Sequence, residues 1–245
     1  MKYLKRFLLI TLLTVILISA GFVAWASRAA QPGQAALDAL VSDETVRVTQ
    51  TTAYISFQPA SQQPTTGLIF YPGARVDYRA YAPALRQIAA QGYLVALVPV
   101  RLNLAFFDIE AGAPALAAFP QITTWAAGGH SLGGTAASLF AQNHPEISAI
   151  VFWASYPPDD SLKESGIQAL SIYASLDGLA SEADIDASRA NLPGDAVFTP
   201  ITGGNHAQFG DYGEQAGDNP ASISATDQWQ QIIRATADFL KSLRP

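Results

Sequence analysis

The sequence predicts an α/β fold, a mainly parallel central sheet with helices on both faces. Three observations predict it. Residues 67–71 and 93–98, among others, are unbroken apolar runs, the pattern of strands buried on both faces. The segments between such runs carry apolar residues at helical spacing and often end at Gly. The two kinds alternate from Val46 onward, which implies parallel strands joined by helical crossovers.

Lys2, Lys5 and Arg6 precede an apolar run, residues 7–26, broken only by Thr11, Thr14 and Ser19. No charge follows until Arg28. A cleaved signal has an apolar core of about 7 to 15 residues, whereas a spanning helix needs about 20. The length therefore favours an uncleaved membrane anchor within residues 1–30. The positive flank stays inside, so the rest of the chain lies outside the cytoplasm. Ala24-Trp25-Ala26 has the small-x-small form of a cleavage site, so secretion after cleavage is the alternative. Residues 31–45 open with Gln31-Pro32-Gly33 and read as a linker. Residues 46–245 form the body.

Residues 46–57 alternate partly and are rich in Thr, Val and Ile, which predicts a strand or hairpin at a sheet edge. Residues 59–66 are a polar loop. The strand at 67–71 runs into Pro72-Gly73, a turn. Tyr81, Leu85, Ile88 and Ala89 set a helix over 78–91, closed by Gly92. A strand at 93–98 and an Ala-rich helix at 112–119 follow. The remaining order is strand 123–127, helix 132–143, strand 147–154, strand 169–174, helix 182–191, strand 196–201 and helix 226–243. Trp125 and Trp153 lie inside strands and are expected in the core. No repeat occurs, and no insertion is long enough for a second domain.

Composition narrows the chemistry. Of 245 residues, 49% are apolar and 14% charged, which excludes a disordered chain. A net charge of −6 argues against a phosphate-backbone binder, so no nucleic-acid partner is expected. There is no cysteine, hence no disulfide and no thiol nucleophile. With three histidines in all, no metal or cofactor site is expected.

Gly129-His130-Ser131-Leu132-Gly133-Gly134 has the form of a nucleophile elbow between a strand and a helix. Ser131 there would stand clear of the sheet on a sharp turn. Gly129 and Gly133 flank it because a Cβ would clash. The backbone N–H of Leu132, at the helix start, would face an oxyanion. A serine needs a base. His130 adjoins Ser131 and reads as support, and His144 as a helix C-terminal residue. His206, on the Gly-rich loop after strand 196–201, is the base candidate. Asp177 follows strand 169–174 and lies between Ser131 and His206 in sequence, so it is the acid candidate. Its rivals are Asp159 and Asp160 first, then Asp184, Asp186 and Asp211. Asp184 and Asp186 sit in the 182–191 helix and read as solvated. The second oxyanion donor is expected from Gly73 or Ala74. Arg101 would contact an acidic substrate group or pair with a surface carboxylate.

Ser131, Asp177 and His206, each after a strand, resemble the α/β-hydrolase fold family, in particular its compact, lidless bacterial serine hydrolases. Tyr71-Pro72-Gly73, the Gly129 to Gly134 elbow, the run ending Ser175-Leu176-Asp177-Gly178 and Gly203-Gly204-Asn205-His206 carry the resemblance, which spans about residues 46–243. It implies an acyl-enzyme on Ser131 and a small-molecule acyl substrate such as a carboxylic ester. In size the chain is similar to dienelactone hydrolases, but those use cysteine. Only 45 residues separate Ser131 from Asp177, which leaves no room for a cap domain. A catalytically silent, membrane-tethered binding protein on the same fold is the alternative.

Overall fold

The structure, a computed structural model, describes residues 2–243. Met1, Arg244 and Pro245, at the ends of the anchor and the body, lie outside the described residues. The chain opens with α1 (Lys2–Ala26) and a short α2 (Gln34–Asp38). A hairpin of β1 (Val46–Gln50) and β2 (Ile55–Pro59) precedes β3 (Thr66–Tyr71), α3 (Ala82–Ala90) and β4 (Leu94–Leu97). Next come α4 (Ala113–Ala118), β5 (Thr124–His130), α5 (Leu132–Asn143), β6 (Ile147–Trp153) and β7 (Gln168–Ala174). The chain then forms α6 (Glu182–Ser188), β8 (Val197–Ile201) and α7 (Ala225–Ser242).

The eight strands form one sheet in the order β1-β2-β4-β3-β5-β6-β7-β8. The β1-β2 and β2-β4 pairs are antiparallel, and all pairs from β4 to β8 are parallel. Alternation along each strand feeds two cores. On β3, Leu68 and Phe70 join α3 and α7 in one layer, and Ile69 and Tyr71 join α4 and α5 in the other. Trp153 is fully buried in the first layer, with its ring centroid 4.4 Å from that of Phe70, and Trp125 is buried in the second. Each such large apolar side chain contributes about 1.5–3 kcal/mol by leaving water.

Local signals explain the helix starts. Ser181 and Asp184 close a reciprocal capping box at α6, and Ser224 accepts from Asp227 N–H at α7. Pro83 sits in the first turn of α3, where its missing N–H costs nothing. The helix expected over 78–91 starts as a separate 3-10 turn, Tyr78–Tyr81. The strand expected to stop at Ala127 continues to His130, because β3 and β6 supply ladder partners on both sides.

Residues 31–45, read from the sequence as a linker, are hydrogen-bonded to the body. Ala30 pairs with Val76, Gly33 N–H donates to the Asp211 carbonyl, and Ala36 N–H donates to the Asp211 carboxylate at 2.8 Å. The segment is docked on the body. α1 lies outside both cores and only Ala26 is buried. It is the one helix among the described residues long and apolar enough to cross a membrane.

Candidate active site

The strand order reverses between β3 and β5, and their C-terminal ends open the crevice where ligands of open α/β sheets bind. Ser131 sits there, directly after β5, with φ 52° and ψ −127°. That left-handed conformation is costly for a residue with a Cβ. The surroundings hold it. Ser131 N–H donates to the Trp153 carbonyl at 3.0 Å, and Ser155 Oγ donates to the Ser131 carbonyl at 2.6 Å. The flanking glycines are steric requirements. A Cβ on Gly129 would lie 2.5 Å from the Gly133 carbonyl carbon, and one on Gly133 would run into the carbonyl oxygens of Tyr71 and Pro72.

The turn after β3 is therefore pressed onto the start of α5. Gly73 N–H donates to Tyr81 Oη at 3.0 Å, so that amide is already engaged. The N–H groups of Ala74 and Leu132 donate to no protein acceptor among the described residues. Of the two expected second donors, Ala74 is the free one. Tyr81 Oη also lies 2.9 Å from His130 Nδ1. Since it accepts from Gly73, its proton goes to His130. Burial, with His206 nearby, pushes the His130 imidazole well below its ordinary pKa, so His130 stays neutral. Burial likewise pushes the Tyr81 hydroxyl upward.

The loops after β7 and β8 join Asp177 to His206. His206 Nδ1 lies 2.8 Å from Asp177 Oδ2, and both side chains are buried. The other carboxylate oxygen, Oδ1, accepts from Leu179 N–H at 2.8 Å and Ala180 N–H at 2.7 Å. One oxygen thus caps its own turn while the other holds the imidazole. His206 Nε2 is buried and makes no hydrogen bond, including to Ser131 Oγ. Resting hydrolytic sites are often loose at this contact.

The rival acids are occupied elsewhere. Asp159 binds Ser161, Asp184 caps α6, Asp186 pairs with Arg189, and Asp211 holds α2. Asp160 is exposed. Arg101 pairs with Asp108 at 3.0 Å. His144 caps α5 and meets Glu110 at 2.7 Å.

The sequence from residue 67 to residue 230, more than half of the chain, matches the alpha/beta hydrolase family. The chain belongs to that family. No curated protein sequence matches this hydrolase. Among solved structures it is similar to an esterase domain of a Rhodothermus marinus protein, with a TM-score of 0.58 and 15% identity. That likeness covers 76% of this chain and 90% of the other, and it shows the shared fold.

Sequence reasoning missed the side chains that brace the hydrolase's loops. Asp218 accepts from Gly178 N–H at 3.0 Å and from Ala207 N–H at 2.8 Å, so one carboxylate ties the residue after Asp177 to the residue after His206. Buried Gln228 exchanges two hydrogen bonds with the Asn205 backbone, at 3.0 and 2.8 Å. Tyr81 was visible only as an apolar helix position. A cleft of about 510 Å³ lies behind the His206 loop, lined by Ala207, Asp211, Asp218 and Trp229 but not by Ser131.

Proposed function

We propose that this hydrolase cleaves a carboxylic ester or related acyl bond through an acyl-enzyme on Ser131. The observation that carries the reading is the buried 2.8 Å bond between His206 Nδ1 and Asp177 Oδ2, which leaves Nε2 as the basic nitrogen. His206 Nε2 takes the Ser131 proton as Oγ attacks the acyl carbon. The oxyanion is held by Leu132 N–H and Ala74 N–H. The imidazolium, stabilised by Asp177, returns the proton to the leaving oxygen, and the acyl group stays on Oγ. Water, deprotonated by His206, then releases the acid.

The reading includes an uncleaved anchor with the body outside the cytoplasm. Ala26 is buried and its carbonyl accepts from Asn103 Nδ2 at 3.2 Å, which supports retention of α1 over cleavage after Ala26. A silent tethered binding protein is the second reading, and the missing hydrogen bond between Ser131 and His206 Nε2 is on its side. Labelling with a fluorophosphonate probe decides between them. Wild type is expected to label, and Ser131→Ala and His206→Ala are not. A folded wild type that stays unlabelled removes the hydrolytic reading.

A further inference from the structure

We infer that the catalytic crest faces the bilayer that holds α1, and that the substrate is an amphiphilic acyl ester whose chain remains in that bilayer. The inference rests on the hydrolytic reading above and names its substrate class. It starts from how the end of α1 is seated. Asn103 Nδ2 donates to the Ala26 carbonyl, and Arg75 Nη2 donates to the Arg28 carbonyl at 3.2 Å. The Arg75 guanidinium stacks over the Trp25 ring, 4.5 Å from its centroid. Ala30 N–H donates to the Arg75 carbonyl, and Asp77 N–H returns a bond to the Ala30 carbonyl. Arg75 is the residue after Ala74, the free donor of the candidate oxyanion site. Arg75 and Asn103 follow β3 and β4, so α1 is fastened to the crest itself and not to the opposite end of the sheet.

The seat is also where backbone strain gathers. Arg75, Leu102 and Asn103 all have φ between 53° and 56°, and Arg75 N–H donates to the Asn103 carbonyl at 2.7 Å. Non-glycine residues persist in that region only where the surroundings over-determine them, which is common at functional junctions.

Depth follows from helix geometry. At about 1.5 Å per residue, residues 7–26 span about 30 Å, the thickness of the hydrocarbon layer. Phe22 lies one turn, about 6 Å, inside the helix end. Phe107, on the loop after β4, packs edge-on against Phe22 with ring centroids 5.9 Å apart. Its ring is thus at the depth of the last helical turn. Trp25, half exposed, sits at the level where aromatic belts form.

The rest of the rim is apolar too. Outside α1, seven large hydrophobic side chains are exposed among the described residues: Leu37, Val41, Phe106, Phe107, Tyr156, Leu179 and Val197. Four of them lie on the loops after β4, β6 and β7, around the elbow that follows β5. The turn of Phe106 and Phe107 packs against α5, the helix that starts beside Ser131. An apolar rim continuous with a spanning helix fits the edge of a lipid leaflet. A substrate whose chain stays in the leaflet needs no enclosed acyl pocket, in keeping with the half-exposed Ser131.

The absence of cysteine makes the test direct. Full-length Phe106→Cys and Val197→Cys are each labelled with one fluorophore and placed, one copy per disc, in phosphatidylcholine nanodiscs with or without spin-labelled acyl chains. Val197 lies on the far edge strand, five strand spacings or about 24 Å from β4. Quenching is expected at position 106, at least twofold stronger than at 197. Equal quenching at both positions, or none at 106, overturns the orientation. In the same discs, the Phe106→Ser/Phe107→Ser double variant should lose about tenfold on a long-chain ester dissolved in the bilayer and stay within twofold on a soluble acetate ester. Equal loss on both esters, or none on the long one, overturns the substrate class. If wild type hydrolyses neither ester and takes no fluorophosphonate, the hydrolytic reading fails instead, and the quenching arm still decides the orientation.

Discussion

The two halves of the candidate site are held by different means. The Ser131 half is held by backbone against backbone. Gly129 and Gly133 let β5, α5 and the Pro72 turn approach until no Cβ fits, and Ser131 is left in a left-handed conformation. The His206 half is held by side chains reaching across sequence. Asp177 caps its own turn, Asp218 ties two loops, and Gln228 grips Asn205 from α7. Steric constraint tolerates almost no substitution but needs few residues. A hydrogen-bond network tolerates partial loss, since each bond contributes about 0.5–3 kcal/mol. The first half should therefore fail all at once and the second by degrees, except at Asp177.

Asp177→Asn tests the exception and carries the largest expected effect. A single amide oxygen cannot accept from both Leu179 and Ala180 and also from His206, and the amide NH2 would face the imidazole as a second donor. The wrong tautomer of His206 results. Turnover on any ester the wild type hydrolyses should fall by about 10³ to 10⁴ with the circular dichroism spectrum unchanged. A loss below tenfold would remove Asp177 from the proposed mechanism.

Gly133→Ala probes the steric half. The added methyl meets the Tyr71 and Pro72 carbonyl oxygens, which are backbone and cannot swing away. Overpacking of this kind costs about 1–3 kcal/mol. Gly194→Ala is the control, because nothing lies within 4 Å of its Cβ position. The denaturation midpoint should drop for the first and stay unchanged for the second. Equal midpoints would mean that the elbow is less tightly closed than its glycines indicate.

Asp218→Ala probes the network half. It removes the acceptor for Gly178, Ala207 and Asn219 N–H groups without touching Ser131, Asp177 or His206. The expected result is a fall in kcat of about tenfold, equivalent to about 1.4 kcal/mol, with KM little changed. An equal rise in KM with kcat intact would instead assign Asp218 to substrate binding.

How much of this was legible follows the same division. The elbow could be read because its constraints fall within six consecutive residues. Asp177 and His206 could be read because each follows an apolar strand in a recognisable order. Asp218 could not, because its partners stand 40 and 11 residues away and nothing local marks it. Tyr81 looked like an ordinary apolar helix position, yet its hydroxyl serves Gly73 and a histidine 49 residues away. The Gln31-Pro32-Gly33 stretch reads as the start of a linker from composition, but the Asp211 carbonyl, 178 residues beyond Gly33, accepts its N–H. Glycines at 128 and 129 shortened the expected strand, although neighbouring strands on both sides kept the ladder going. Local sequence reports sterics within a few residues, whereas long-range partners are fixed only by the assembled sheet.

His130 gives the smallest and most specific effect, because it belongs to both halves. It ends β5, stacks on Phe209 with centroids 5.4 Å apart, and lies with its ring centroid 4.4 Å from that of His206. Its folded pKa is pushed well below the usual 6.5, first by burial and then by His206. Below pH 6.5 the unfolded chain binds a proton at this position that the folded chain does not. Stability must therefore fall as the pH falls from 6.5 toward the folded pKa, with a limiting slope of about 1.4 kcal/mol per unit. Above pH 6.5 both states are neutral at His130 and the contribution is flat. His130→Gln should lower stability at every pH, since the Tyr81 contact is disturbed, but it should remove this share of the acid slope. Unfolding midpoints at pH 5, 6 and 7 for the two chains measure it. Parallel curves would show that His130 takes up its proton in the folded chain as readily as in the unfolded one, and that the contact between the two halves is open to water.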